Sequence, residues 1–323
     1  MMMTNKQIIG KINKAQNIAI FAHIDPDPDA LGSMFGLREF CRSLGKNADA
    51  FVLDKKENFL SLIFPYKETK DVFIPNDYDL VIITDLHVIN RINREYQENI
   101  RNFQNTLVID HHIVADNDEL ITKNMRVKDV AAASMLVIDL YRENGTRPDK
   151  KAATYLYAGL MGDTDRFLHN NLSKEVFDDA VYLMESGAKI QEVYDYMFRY
   201  TTPEEIKVHK MLYNNLVYLE GGRVAYAIFT LKDLKKLGAD IEDVKAFSST
   251  LIRIKGVELA FLIYEKERGQ FKFSIRSSKA NIVPAASKMG GGGHPCAAGF
   301  DFEGTKWKIK RIIPEISREI LNG

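Results

Sequence analysis

The stretch "FAHIDPDPDALGS", Phe21 to Ser33, sets one histidine and three aspartates within seven residues, directly after the apolar run "NIAIF". His23, Asp25, Asp27 and Asp29 would repel one another at the end of a strand packed on a core unless a cation sits among them. Three further stretches carry the same residue types. Asp85 ends "LVIITD", Asp110-His111-His112 ends "TLVIDHH", and Asp163 lies in "LMGDTDRF". Imidazole and carboxylate ligands without thiolates suit Mn, Fe or Zn, and several carboxylates favour Mn or Mg. One ion does not need so many acids. Two ions roughly 3.5–4 Å apart, bridged by a carboxylate, would use them and would clamp a phosphoryl group for in-line attack. Each residue alone has a plainer explanation. Asp29 could cap the helix that follows it, Asp85 could be a turn residue, and Asp163 could solvate a helix end. Capping does not explain their joint occurrence at three strand ends.

The elements that would position these residues alternate in type. "NIAIFAHI" (17–24), "DAFVL" (49–53), "DLVIITDL" (79–86) and "NTLVIDHH" (105–112) are short and apolar on both faces, as buried parallel strands are. Helical patterns over 29–45, with Gly45 as a C-terminal cap, and over 91–103 lie between them; further helices are expected at 131–144 and 150–164. The alternation predicts an α/β fold with a doubly wound, mostly parallel sheet, whose ligands bind beyond the carboxyl ends of the strands. The pattern then turns helical and charged. Thr202, Pro203 and Glu205 read as a helix start. We expect a first domain over 1–187, a helical connector over 188–207 and a second, smaller α/β domain with a mixed sheet over 208–323. In that last part, 223–231 reads as a strand, 241–256 as a helix, 257–278 as a hairpin turning at Arg268-Gly269, "AAGFDFEG" as a strand and 307–322 as a helix.

A second cluster is of another kind. "KMGGGGHPCAAGF" places Gly290 to Gly293 before His294. Four glycines in a row lose much backbone entropy on folding, which is easier to explain if bare N–H groups must approach an anion. "SIRSS" ends the neighbouring strand with Arg276 and Ser277, and a guanidinium suits two-point contact with phosphate.

"HIDPDPDALGS", the Asp of "IITD", the triplet "DHH" and the Asp of "GDTDRF", in this order, resemble the four motifs of the DHH phosphoesterases. The first motif of that family is His-x-x-x-Asp-x-Asp; it maps onto His23, Asp27 and Asp29 and leaves Asp25 outside. The resemblance implies two Mn2+ ions, with Mg2+ or Co2+ as substitutes. His23 and Asp27 would hold one ion, Asp29, His111 and Asp163 the other, and Asp85 would bridge them. His112 would contact the reacting phosphate and Asp110 would orient the histidines from behind. Where this chain has Asp165, members of the NrnA type usually have Gly, so a negative charge is added close to the site. The pair "RSS … GGGGH" is similar to the DHH-associated domain of those members. That likeness implies substrate contacts by Arg276, Ser277, Gly291, Gly292, Gly293 and His294.

Composition narrows the partners. Lys plus Arg and Asp plus Glu both number 44, so the net charge is zero, which argues against coating long duplex nucleic acid. A short anionic substrate in one local basic pocket remains compatible. Cys41 and Cys296 match no metal spacing and read as reduced thiols, with a disulfide between them as the alternative. No apolar run approaches the roughly 18 residues of a membrane span, and we expect a cytoplasmic protein without a membrane partner. The resemblance implies hydrolysis of very short single-stranded oligonucleotides to mononucleotides, with removal of the 3′-phosphate of pAp (adenosine 3′,5′-bisphosphate). It also suggests a homodimer. A cyclic-dinucleotide phosphodiesterase acting on c-di-AMP or pApA fits the same motifs, and a non-catalytic nucleotide-binding protein is the alternative of another class.

Overall fold

The structure, a computed structural model, describes residues 2–52, 60–112, 120, 124–168, 171–245, 247 and 249–322. The chain divides into two compact units, Met1–Tyr200 and Thr201–Gly323.

The first unit is built on five parallel strands: β1 (Asn17–Phe21), β2 (Asn47–Phe51), β3 (Leu80–Thr84), β4 (Thr106–Asp110) and β5 (Asn124–Val127), in the order β2-β1-β3-β4-β5. The expected strands are apolar on both faces because both faces are covered. Ile18, Ile20, Ile82 and Ile109 pack with the Asn5–Lys14, Pro28–Ser43, Ala133–Glu143 and Lys150–Asp163 helices. Ala19, Phe21, Val81, Ile83 and Val108 face the other side, with Tyr96 and Ile100 of the Arg94–Asn102 helix. There Phe21 stacks on Phe51 at 4.8 Å, edged by Phe73 and Tyr96. Gly45 takes the left-handed conformation (φ 74°) that closes the Pro28–Ser43 helix.

The strand order places the site. β1 is followed by β2 on one side, and the chain then returns to lay β3 on the other side of β1. The carboxyl ends of β1 and β3 therefore flank the switch point of a doubly wound sheet, where such folds bind ligands.

The second unit carries a six-stranded mixed sheet ordered β10-β11-β9-β8-β7-β6. Its strands are β6 (Val217–Leu219), β7 (Val224–Phe229), β8 (Leu259–Glu267), β9 (Gln270–Ser277), β10 (Gly292–His294) and β11 (Ala297–Glu303). Only β7 and β8 pair in parallel. The β8–β9 hairpin turns at Arg268-Gly269, with Gly269 left-handed (φ 79°). The Lys306–Asn322 helix covers one face through Ile309, Ile313, Ile316 and Ile320, against Phe261, Phe273 and Ile275. The Pro203–Asn214 helix covers the other through Val208 and Leu212. Its start is a capping box. The Glu205 N–H donates to Thr202 Oγ1 at 3.1 Å, and the Thr202 N–H donates to Glu205 Oε2 at 2.7 Å.

One expected element fails. The helix read over 241–256 stops at Lys245, and Leu251–Arg253 forms only a 3-10 turn. The Phe247 N–H donates to Val244 O and the Thr250 N–H to Phe247 O, both i→i+3 bonds rather than α-helical ones. Ser and Thr residues, such as Ser249 and Thr250 here, have low helix propensity because their hydroxyls compete for backbone partners. Cys41 is a buried free thiol and Cys296 an exposed one. Among the described residues no helix is long and apolar enough to cross a membrane.

Candidate metal centre

The carboxyl edge of the parallel sheet gathers His23, Asp27, Asp29, Asp85, Asp110, His111, His112 and Asp163. His23 follows β1 and is buried. Its Nδ1–H donates to the carbonyl of Ile24 at 2.7 Å, which leaves Nε2 for other work. Nε2 lies 3.6 Å from Asp27 Oδ2 and 3.5 Å from Asp85 Oδ2. Asp27 is the N-cap of the Pro28–Ser43 helix; its Oδ1 accepts from the N–H groups of Asp29 and Ala30, both at 3.0 Å. Asp85 ends β3 in a left-handed turn (φ 60°), a conformation uncommon outside glycine, with its N–H on Ile109 O at 2.9 Å.

Asp29 was open to reading as a cap of its own helix. Asp27 fills that role instead, and Asp29 is fully buried against the start of another helix. Its carboxylate accepts from the N–H groups of Ala133 at 2.5 Å and Ser134 at 3.0 Å. A helix N-terminus favours the ionised form there. The approach needs glycine. A Cβ on Gly159 would lie 2.1 Å from Ser134 Oγ and 2.8 Å from Asp29 Oδ1, and one on Gly32 would meet the Tyr155 carbonyl at 2.6 Å. This close helix crossing brings Asp163, at the end of the Lys150–Asp163 helix, to the same edge. His111 donates from Nδ1 to Val130 O at 3.0 Å. Its Nε2 lies 3.3 Å from Asp85 Oδ1, 3.3 Å from Asp163 Oδ2 and 4.0 Å from Asp29 Oδ2.

Two triplets, His23–Asp27–Asp85 and Asp29–His111–Asp163, each bring one ligand atom per residue within 4.8 Å of one another. His111 Nε2 and Asp85 Oδ1 are buried and make no hydrogen bond among the described residues. Buried polar atoms without hydrogen bonds are costly, and a divalent cation that displaces the imidazole proton satisfies a carboxylate oxygen and an imidazole nitrogen together. The residues present therefore fit a metal.

Asp110 forms a group of four with Asp85, His111 and His112, but its oxygens are engaged. Oδ1 accepts from the N–H groups of His111 (2.8 Å) and His112 (3.2 Å) and from His112 Nδ1 (2.8 Å). Oδ2 is hydrogen-bonded to Nδ1 of His87. The buried His87 is the residue that sequence reasoning missed. It sits two places after Asp85, belongs to no recognised spacing, and meets Asp110 only through the fold.

The charges are strongly coupled. Burial disfavours the imidazolium of His23, yet its contacts to Asp27 and Asp85 outweigh that and raise it to about 10. His111 behaves alike, burial opposing and Asp85, Asp29 and Asp163 prevailing, to about 11. Burial, then the Asp85 charge, lifts Asp29 to about 7. Burial and the neighbouring aspartates hold Asp163 well above the usual carboxylate range. Desolvation works against ionisation of Asp27, but His23 draws it down to about 2. A site that raises both histidines and two of its acids is one short of positive charge.

Asp25 lies in a left-handed turn (φ 51°), exposed, and joins none of these groups. Asp165 is the first of three successive left-handed residues, Asp165, Arg166 and Phe167. Its Oδ1 accepts from Arg166 Nε at 3.2 Å and Nη2 at 2.8 Å, so the added charge has a counter-ion beside it.

In the second unit, Arg276 on β9 pairs with Ala297 on β11, which pairs with His294 on β10. The three positions are thus register neighbours across strands. Arg276 Nη1 donates to Ile275 O at 2.9 Å and Ser274 Oγ at 3.3 Å, and burial lowers its pKa. Ser277 Oγ accepts from the N–H groups of Lys279 and Ala280 in the turn after β9. The glycines separate by role. Gly290 is left-handed (φ 76°); Gly291 and Gly293 are pressed on β11, where a Cβ would meet Gly299 O at 2.1 Å and Ala297 O at 2.4 Å. A Cβ on Gly292 would meet nothing within 4 Å.

A doubly wound sheet with this set of imidazoles and carboxylates at its switch point defines a metal-dependent hydrolase of phosphate esters. Residues 17–160 match the DHH family N-terminal domain and residues 221–322 the DHHA1 domain. The chain belongs to the DHH phosphoesterases with a C-terminal DHHA1 domain. It is 29% identical over 302 residues to the bifunctional oligoribonuclease and PAP phosphatase NrnA of Bacillus subtilis, covering 91% of each chain. It is 28% identical over 324 residues to the protein of the same description from Mycoplasma genitalium, covering 98% of this chain and 97% of that one. In fold it is similar to the crystal structure of an exopolyphosphatase-related protein from Bacteroides fragilis. The TM-score is 0.88 at 21% identity, over 98% of this chain and 95% of that one.

Proposed function

We propose that this chain is a manganese-dependent phosphoesterase that hydrolyses very short oligonucleotides to mononucleotides and removes the 3′-phosphate of pAp. The observation that carries the metal part is the pair of buried orphan atoms, His111 Nε2 and Asp85 Oδ1, between two ligand triplets. The substrate part is supported by the descriptions of the B. subtilis and M. genitalium relatives as bifunctional oligoribonucleases and PAP phosphatases.

In this reading His23 and Asp27 hold one Mn2+, Asp29, His111 and Asp163 hold a second, and Asp85 serves both. Bound there, the two cations would acidify a water and screen the charge on phosphorus. The Nδ1–H bonds of His23 to Ile24 and of His111 to Val130 fix the tautomer that turns Nε2 to an ion. Asp110 clamps the two histidine backbones and His112 Nδ1, and His112 would contact a phosphate oxygen. We assign catalysis to residues 1–187, a connector to 188–207 and substrate recognition to 208–323. There Arg276, Ser277, Gly291, Gly292, Gly293 and His294 take the phosphate and nucleotide end.

The test is a product time course with Mn2+ on a five-nucleotide RNA, pApA, pAp and c-di-AMP. Mononucleotides from the RNA and pApA, and AMP from pAp, are expected. Turnover of c-di-AMP with none of the others would replace the reading by a cyclic-dinucleotide phosphodiesterase. Bound manganese with no turnover of any would make the chain a nucleotide-binding protein.

A further inference from the structure

The Lys306–Asn322 helix opens on "KWKIKR": four cations and the only tryptophan of the chain, with no acid among six residues. We propose that this helix start is a stacking platform for single-stranded RNA, with Trp307 as its base contact and Lys306, Lys308, Lys310 and Arg311 as its phosphate contacts. Nothing in the phosphoesterase reading uses these residues.

The core does not need Trp307. The buried face of the helix is Ile309, Ile313, Ile316 and Ile320, and Trp307 is 64% exposed. The Arg311 guanidinium, one turn on, lies 4.8 Å from the centre of the indole and steadies it by a cation–π contact. Arg318, at i+11 from Trp307, falls on the same face. The charges are equally unexplained by the fold. Elsewhere on this unit Lys266 and Lys272 pair with Asp301 and Lys288 with Glu319, while Lys232, Lys235 and Lys236 form no ion pair among the described residues but have no exposed aromatic ring beside them in the chain. Lys306, Lys308, Lys310 and Arg311 form no ion pair among the described residues. They also crowd the positive end of a helix dipole, the wrong end for cations. A polyanion reverses both penalties.

The class of polyanion follows from the indole. An anionic bilayer attracts basic helices that turn an apolar face to it. Here that face is built into the sheet core with Phe261, Phe273 and Ile275, so the helix cannot present it. An exposed ring flanked by cations instead matches the alternation of base and phosphate along an unpaired strand.

The experiment uses the full chain in EDTA, which stops hydrolysis, and follows the anisotropy of labelled oligouridylate of about twelve nucleotides. Because Trp307 is the sole indole, binding should also quench the intrinsic fluorescence. Four phosphate contacts on a single strand predict a slope of log affinity against log salt near −3, falling by about 1.4 in Lys306→Gln/Lys310→Gln. Trp307→Ala should weaken binding about tenfold to a hundredfold, and Trp307→Phe should recover most of the loss. Circular dichroism and hydrolysis of bis-p-nitrophenyl phosphate should be unchanged in both. Wild-type affinity in Trp307→Ala would overturn the proposal. So would equal competition by heparin, which has charge but no bases. Quenching by phosphatidylglycerol vesicles without quenching by RNA would assign the face to a membrane surface instead. Binding in EDTA is independent of turnover, so this proposal and the phosphoesterase reading can fail separately.

Discussion

At the carboxyl edge of the parallel sheet, several residues of the site are also structural residues. Asp27 caps its helix, Asp29 caps another about a hundred residues away, and Asp110 holds two backbone N–H groups. At the glycine edge of the mixed sheet the roles are separable. Gly291 and Gly293 are required by packing on β11, while Gly292 has open space where a side chain would go. Substitutions at the first edge therefore mix chemistry with folding. At the second, one position can report on substrate alone.

The largest effect should come from Asp85→Ala. Its two oxygens face His23 and His111 separately, so its loss strips both triplets. Hydrolysis should fall by more than the roughly 10²–10³-fold that removal of a single transition-state contact costs, and bound metal should drop in elemental analysis. Full activity with two bound Mn2+ in this variant would break the assignment of Asp85 to both ions.

The histidines sharpen the same edge. His112→Ala should keep its metal and lose about 10²–10³-fold in kcat, whereas His111→Ala should lose an ion. Equal metal loss would mean the two are wrongly divided. His87→Gln removes the hydrogen bond to Asp110 without touching a ligand, and should cost about 10–100-fold in activity with metal content unchanged. Wild-type rates would show that Asp110 is held well enough by the backbone alone.

The difference between the edges also explains what could be read from sequence. Ile18–Phe21 and Val81–Ile83 are apolar at every position because helices cover both faces, and their ligands follow the strand ends, so both were legible. β5 was not. Asn124–Val127 is short and lies at the sheet edge, where no continuous apolar run is required. The partner of Asp29 was invisible because Ala133 and Ser134 contribute backbone N–H groups, which leave no residue-type signal. His87 was invisible because its meaning depends on the β3–β4 pairing that sets it beside Asp110. The four glycines read as one motif, yet they divide by backbone angle and by contact with β11, neither of which composition carries.

The second edge is probed by Arg276→Lys and Gly292→Ala. A lysine keeps the charge and loses the planar fork. A methyl on Gly292 meets no protein atom, so in the proposed reading it would touch only a substrate. Both should lower kcat/KM on pAp and pApA by about ten- to a hundredfold and leave bis-p-nitrophenyl phosphate hydrolysis nearly unchanged. A parallel loss on both kinds of substrate, with intact folding, would remove the second unit from substrate recognition.

Proton linkage gives a smaller, graded effect. Asp29 is raised from 3.8 to about 7, so its contribution to the metal-free fold is present below about pH 4 and lost as pH rises through 7. His23 and His111, raised from 6.5 to about 10 and 11, contribute fully below 6.5 and lose that contribution above it. All three make the metal-free protein less stable with rising pH. A cation must displace the same protons, so its affinity should rise, by up to about tenfold per pH unit for each proton released. The Tm difference between Mn2+ and EDTA samples should therefore widen from about pH 6 to 8. A constant or narrowing gap would mean that the ion binds elsewhere.

The smallest effect should be that of Asp165→Gly. Glycine suits the left-handed turn (φ 42°) better than aspartate, which favours the variant by a fraction of the roughly 1–2 kcal/mol that such a conformation costs an ordinary residue. Against this, the variant loses the Asp165 contact to the Arg166 guanidinium, a partly exposed pair worth about 0.2–1 kcal/mol. The two terms oppose, so Tm should move by only a few degrees. Removal of the carboxylate also takes a negative charge from the approach to Asp163, while Arg166 keeps its place over the Phe198 ring at 4.9 Å. KM for pAp should fall, by less than about threefold, because Asp165 is already neutralised by its neighbour. A tenfold fall would mean that the Asp165–Arg166 pair opens in solution and that the carboxylate faces the substrate uncompensated. An increase in KM would mean that the paired Arg166 is itself held in place to meet the phosphate.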